Sequence, residues 1–171
     1  MEVRSDFTRL GALGATGTID AITLPKVVST STAPRAVSIV GIVNAVQALA
    51  DGTLAGNIFW IDNNAAGGSQ FLGTDHLVSA IEAGANVTWM VEPLEVETFV
   101  EILAMKGPVV QLADATEVSE YSGAIKYWKG QVASSGQGDY TYSFSLNVGG
   151  REMALPANLT LAVTGNGGKR K

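Results

Sequence analysis

Cysteine is absent from the 171 residues and histidine occurs once. The first absence excludes disulfides, thiolate catalysis, zinc ribbons and iron–sulfur ligation. The second leaves His76 as the sole imidazole for any Ser-His-Asp relay, and no Gly-x-Ser-x-Gly elbow accompanies it. Charge is scarce as well, at 16% of residues with a net of −5, against 46% hydrophobic. A chain this apolar is not disordered, and so little charge implies that a partner covers part of its surface, with a homo-oligomer the expected form. The acidic balance disfavours nucleic acid and anionic membrane, because both require clustered Lys and Arg. Lys169-Arg170-Lys171, the one basic cluster, follows Gly167-Gly168 and reads as a solubilising tail. No apolar run is long enough for a bilayer: the stretch from Ala36 to Ala50 is interrupted by Ser38, Asn44 and Gln47. Met1 to Asp6 lacks the cationic start and apolar run of a secretory signal, so the cytoplasm is the expected compartment.

What the chain does have is alternation. Tyr140, Tyr142, Phe144, Leu146 and Val148 interleave with Thr141, Ser143, Ser145 and Asn147 before Gly149-Gly150. A period of two sends the large apolar side chains to one face, the mark of a half-buried strand entering a hairpin. Asn57 to Asp62, His76 to Ile81, Asn86 to Val91, Glu97 to Ala104, Ala124 to Trp128 and Asn158 to Val163 carry related patterns between turn residues. The pair 76–81 and 86–91, joined by Glu82-Ala83-Gly84-Ala85, is expected to form a hairpin. Residues 107–122 read as loop, and Val43 to Leu49 fits a strand or a helical turn equally. About eight short strands and no long amphipathic helix predict an all-β, antiparallel β-sandwich, immunoglobulin-like or jelly-roll-like. The expected organisation is a flexible N-terminal arm over 1–35, punctuated by Gly11, Gly14 and Gly17, a β-sandwich domain over 36–164 and a basic tail over 165–171.

The search for chemistry yields no catalytic residue and no cofactor or metal requirement. Asp75-His76-Leu77 places the histidine at the start of a strand. Ala83 to Trp89 resembles a cupredoxin strand, yet blue copper needs two histidines and a thiolate. The Gly11, Gly14, Gly17 spacing follows no strand and lacks the phosphate-loop lysine. Glu92, Glu95, Glu97 and Glu101 form an acidic run that suits a solvated edge better than a pair of acid–base carboxylates. The candidate site is the loop from Asp62 to Asp75. Asp62, Asn63, Asn64 and Asp75 offer oxygen atoms to a carbohydrate or Ca²⁺, Gly67, Gly68 and Gly73 permit close backbone approach, and Trp60 is the candidate stacking platform. Trp89, Trp128 and Tyr127 read as core or interface.

Several phrases together, Gly56-Asn57-Ile58-Phe59-Trp60-Ile61-Asp62-Asn63, Gly73-Thr74-Asp75-His76-Leu77, Gly84-Ala85-Asn86-Val87-Thr88-Trp89 with Pro93, Trp128-x-Gly130, Tyr140-x-Tyr142-x-Phe144 and Gly149-Gly150, resemble the PixA/AidA inclusion-body protein family over residues 36–163. The resemblance implies a bacterial β-sandwich that accumulates or self-associates, with sugar-binding lectin behaviour in some members. The expected function is accordingly a non-enzymatic, self-associating protein. A carbohydrate-binding lectin and a phage or particle subunit with an ordered arm are the alternatives.

Overall fold

The structure, a computed structural model, describes residues 33–123 and 125–165. The expected arm, up to residue 32, and the tail from 166 onward lie outside the described residues. The fold is mostly β, and ten strands are present among the described residues: β1 (Val37–Val43), β2 (Ile58–Asp62), β3 (Val78–Glu82), β4 (Asn86–Pro93), β5 (Val100–Lys106), β6 (Thr116–Glu120), β7 (Ile125–Gln131), β8 (Gly138–Val148), β9 (Arg151–Ala154) and β10 (Leu159–Thr164). They build two open sheets, one in the order β2-β1-β4-β7-β6 and the other β3-β10-β8-β5, with β9 added to β8.

The expectation of an all-antiparallel arrangement is corrected. β1 runs parallel to β4, with Ile39 opposite Trp89, and β3 runs parallel to β10, with Ala80 opposite Ala162. The expected 76–81/86–91 hairpin is corrected with it, because β3 and β4 belong to different sheets. Their connecting turn dives between the sheets instead of closing one. Ala83 N–H donates to Thr164 in the second sheet, while Gly84 N–H donates to the carbonyl of Val132, just beyond β7 of the first. Ala83 and Ala85 are small enough to be fully buried there, and Gly84 takes φ +83°.

Two further segments differ from the sequence reading. The ambiguous stretch after Val43 is a short helix, α1 (Ala45–Asp51), whose Asn44 side chain accepts from Gln47 N–H and whose chain leaves through left-handed Gly52. The supposed loop 107–122 contains α2 (Val109–Leu112) and the edge strand β6. β6 is exposed along nearly its whole length and carries Glu117 and Glu120, so it lacks the apolar alternation by which a strand is recognised. By contrast β8 matches its pattern: Tyr142, Phe144, Leu146 and Val148 are buried, and Gly149 and Gly150 turn the chain into β9 with positive φ at both positions.

The inner faces of the two sheets share one hydrophobic cluster. Trp60 from the first sheet stacks on Phe144 from the second at 5.4 Å between ring centroids, and Trp89 meets Tyr142 edge-on at 6.0 Å. The Trp60 indole also lies against Gly41 of β1, where a Cβ would come within 2.8 Å of the ring.

Candidate functional site

The loop from Asp62 to Asp75 is built as a cover for sheet edges. At its start Asp62 Oδ1 accepts from Asn64 N–H at 2.9 Å, closing a tight turn. Asn63 Oδ1 accepts from Ser38 N–H at 3.0 Å, and its carbonyl accepts from the Arg35 guanidinium. Asn64 Nδ2 donates to the Ala80 carbonyl at 2.8 Å while Ser69 Oγ accepts from Ala80 N–H at 3.0 Å, so two side chains occupy both backbone groups of a residue on the free edge of β3. Gln70 and Val78 exchange both backbone hydrogen bonds, extending that cover by one bridge. On the β2 edge, Trp60 N–H donates to Thr74 and Gly73 N–H donates to Trp60. Unpaired edges invite association with foreign strands, and this loop blocks two of them at once.

The same geometry disperses the candidate residues. The Trp60–Thr74 bridge sets Asp75 level with Phe59, and Asp62 lies three residues further along the strand, a separation of about 10 Å at 3.3 Å per residue. Asp75 instead holds His76 Nδ1 at 2.8 Å, and the imidazole leans on Phe71 at 5.1 Å. Trp60 is fully buried between Gly41 and Phe144, with no face left for a ligand. No group of three or more His, Asp or Glu is placed to hold a metal ion among the described residues.

The acidic run is similarly divided by the fold. Glu95 Oε2 accepts from Ala45 N–H at the start of α1, and Glu101, only 9% exposed, pairs with Lys126 at 2.6 Å and accepts from Asn147. The Lys126 ammonium first, and the Asn147 amide second, hold the Glu101 carboxyl below the usual carboxylate range against the opposing effect of burial. Glu95 and Glu101 are thus structural ties, each with its own partner, and not a pair of acid–base carboxylates.

A polar cluster that the alternation did not disclose lies in the core. Burial pushes the Tyr142 phenol far above its ordinary ionisation range; the neighbouring Trp89 indole N–H opposes that rise and the Asp62 charge adds to it. The Tyr142 hydroxyl, Trp89 Nε1 and Asp62 Oδ2 are all buried without an aligned hydrogen-bond partner. A hydroxyl with no bond to lose contributes little by itself, so Tyr142→Phe should change stability by less than about 1 kcal/mol in either direction in urea denaturation. A loss above about 2 kcal/mol would show instead that the hydroxyl is bonded in solution.

The outer face of the first sheet is the other feature that sequence reading missed. Its side chains are opposite in parity to buried Ile39 and Trp89: Val40 and Ile42 of β1, Phe59 and Ile61 of β2, Met90 of β4, Ile125 and Tyr127 of β7 and Val118 of β6. Phe59 and Ile61 are 40% and 38% exposed, and Ile125 is 45% exposed. The available signal was β1 itself, Val-Ser-Ile-Val-Gly-Ile-Val, which is apolar on both faces. Beside this stripe, Asn86, Thr88, Asp114, Thr116 and Lys129 line an open cleft of about 370 Å³. No described helix is long and apolar enough to cross a membrane.

Comparison with known proteins agrees with this architecture. The crystal structure of an inclusion body protein (PixA) from Burkholderia cenocepacia superposes with a TM-score of 0.59 at 14% identity, covering 78% of this chain and 98% of that one. At that identity the likeness is one of fold. No curated protein matches the sequence. A family sequence model described as a domain of unknown function (DUF8788) matches residues 35–154, and this chain belongs to that family.

Proposed function

We propose that this chain is a non-enzymatic, self-associating β-sandwich protein of the inclusion-body type, working as a homo-oligomer in the cytoplasm of a bacterium. The observation that carries this reading is the amount of large apolar side chain left at the surface of a sparsely charged molecule. Val96 is 96% exposed, Leu94 63%, Val46 58% and Phe71 53%, in addition to the stripe on the first sheet. Monomeric proteins leave single apolar residues exposed but seldom whole faces. The likeness in fold to an inclusion body protein supports the same reading. The lectin alternative draws less support, because Asn63 Oδ1, Asn64 Nδ2 and Asp62 Oδ1 are committed to neighbouring backbone and Asp62 Oδ2 is buried. The particle-subunit alternative depends on residues 1–35, nearly all of which lie outside the described residues.

Static light scattering on the full chain tests the proposal. The expected result is a weight-average mass that grows with concentration through the micromolar range, and a mass fixed at 17.7 kDa throughout would refute it.

A further inference from the structure

The strand registers arrange the outer face of the first sheet in three rows across the strands. One row is polar: Ser38 is opposite Thr88, Thr88 opposite Lys129, and Lys129 opposite Thr116. Two residues along every strand comes an apolar row, with Ile61, Val40 and Met90 in register on β2, β1 and β4, and Tyr127 and Val118 in register on β7 and β6. Two residues further still, Phe59, Ile42 and Glu92 are aligned, as are Ile125 and Glu120. The apolar row is thus flanked by a cationic side chain on one side and two carboxylates on the other. Lys129 and Glu92 have no hydrogen-bond or ion-pair partner among the described residues, and Glu120 uses only Oε1, accepting from the Tyr127 hydroxyl.

That pattern is self-complementary under one operation. A two-fold axis lying in the face, along the apolar row and perpendicular to the strands, lays the row on its own copy and exchanges the flanking rows. Because β7 stands between β4 and β6 in the sheet, Lys129 of one copy then falls between Glu92 and Glu120 of the other, offset from each by one strand spacing of about 4.8 Å in the plane of the face, with long side chains reaching across the gap between the sheets. The charges meet twice, once on each side of the axis, and the apolar row is covered between them. The face measures roughly 24 by 20 Å, a footprint of about 500 Å² before side-chain relief is counted, against about 800 Å² per partner in a standard interface. An area at the low end of the range suits a weak, concentration-dependent contact.

We infer that the occupant of this face is a second copy of the chain, paired through the Ile61–Val40–Met90 row with Lys129 set between Glu92 and Glu120 of its partner. The inference rests on the self-association reading and specifies the surface that reading uses. It is tested by sedimentation velocity on three full-length proteins, the natural sequence, Lys129→Glu, and Glu92→Lys combined with Glu120→Lys. All three substituted positions are solvent-facing, so the fold is retained, which circular dichroism verifies. Each charge-reversed protein carries one sign at all three of these positions, and its self-dissociation constant should rise about tenfold or more. Mixed in equal amounts the two are complementary at both contacts, and association should return to the natural level. Natural protein that associates while both variants associate equally well would overturn this surface and leave the self-association reading standing. A natural protein that stays monomeric would overturn both.

Discussion

Alanine in place of Trp89 is expected to cost about 3–5 kcal/mol of folding stability, the range for emptying a large aromatic site in a packed interior. The indole is fully buried, sits opposite Ile39 on one neighbouring strand and Trp128 on the other, and meets the ring of Tyr142 across the inter-sheet space. Removing it therefore opens a void bounded by both sheets, which the rigid strands on either side cannot collapse to fill. Against a total of about 5–15 kcal/mol for a domain, the loss is a large fraction, and the urea midpoint should fall by about 2 M. A change below about 1 kcal/mol would mean that Trp89 points away from the core and that the faces assigned to β4 are reversed.

Which parts of this fold were legible in the sequence follows from what each strand buries. β8 and β10 alternate because large apolar side chains fill one face, toward the core, while the other face carries small or polar residues, and periodicity identifies such strands directly. β6 was missed because an edge strand with two glutamates buries almost nothing, and the boundary between β1 and α1 was unreadable because Val43 to Leu49 fits a strand and a helical turn equally. Pairing partners were less legible than the strands themselves. β3 and β4 have the spacing and the glycine of a hairpin, but period and turn chemistry do not say which sheet a strand joins. The buried alanines at positions 83 and 85 mark a turn packed between sheets, and they carry that meaning only once the packing is known.

The candidate site failed to assemble for a related reason. Asp, Asn and Gly are the residues of ligand loops and equally of turns that satisfy their own backbone, and here Asn64 and Ser69 are committed to Ala80. Trp60 lies in Ile-Phe-Trp-Ile, where every position is apolar and the parity of the strand is unreadable. What fixes it is Gly41 on the neighbouring strand, whose missing side chain is the space the indole fills. The informative residue was thus a glycine some twenty positions away, and the same holds at a second place in the first sheet.

Gly130 of β7 is that second place, and Gly130→Ala is expected to destabilise the fold by about 1–3 kcal/mol, toward the upper end of that range. A Cβ there would drive into the carbonyl oxygen of Ala113, lying 3.1 Å from its carbonyl carbon and 3.2 Å from its Cβ. Ala113 cannot step aside cheaply. It is fully buried at the end of α2, its carbonyl accepts from Gln131 N–H at 2.8 Å, and the adjacent Leu112 carbonyl accepts from Ala133 N–H at 2.9 Å. The collision is backbone against side chain in a region where the backbone is already doubly tethered, so relief requires α2 to lift from β7 and give up those bonds. Gly130 has no positive φ, which makes the cost steric and separates it from the usual penalty for replacing a turn glycine. Gly165, with open space around it and likewise no positive φ, is the matched control and should tolerate alanine within about 0.5 kcal/mol. Thermal unfolding monitored by circular dichroism distinguishes the two: a midpoint lowered by about 4–10 °C for Gly130→Ala, against almost none for Gly165→Ala, is the expected outcome. Equal midpoints would mean that α2 does not rest on β7 in solution. In that event the Trp128-x-Gly130 phrase would need another explanation than the close approach of two backbones.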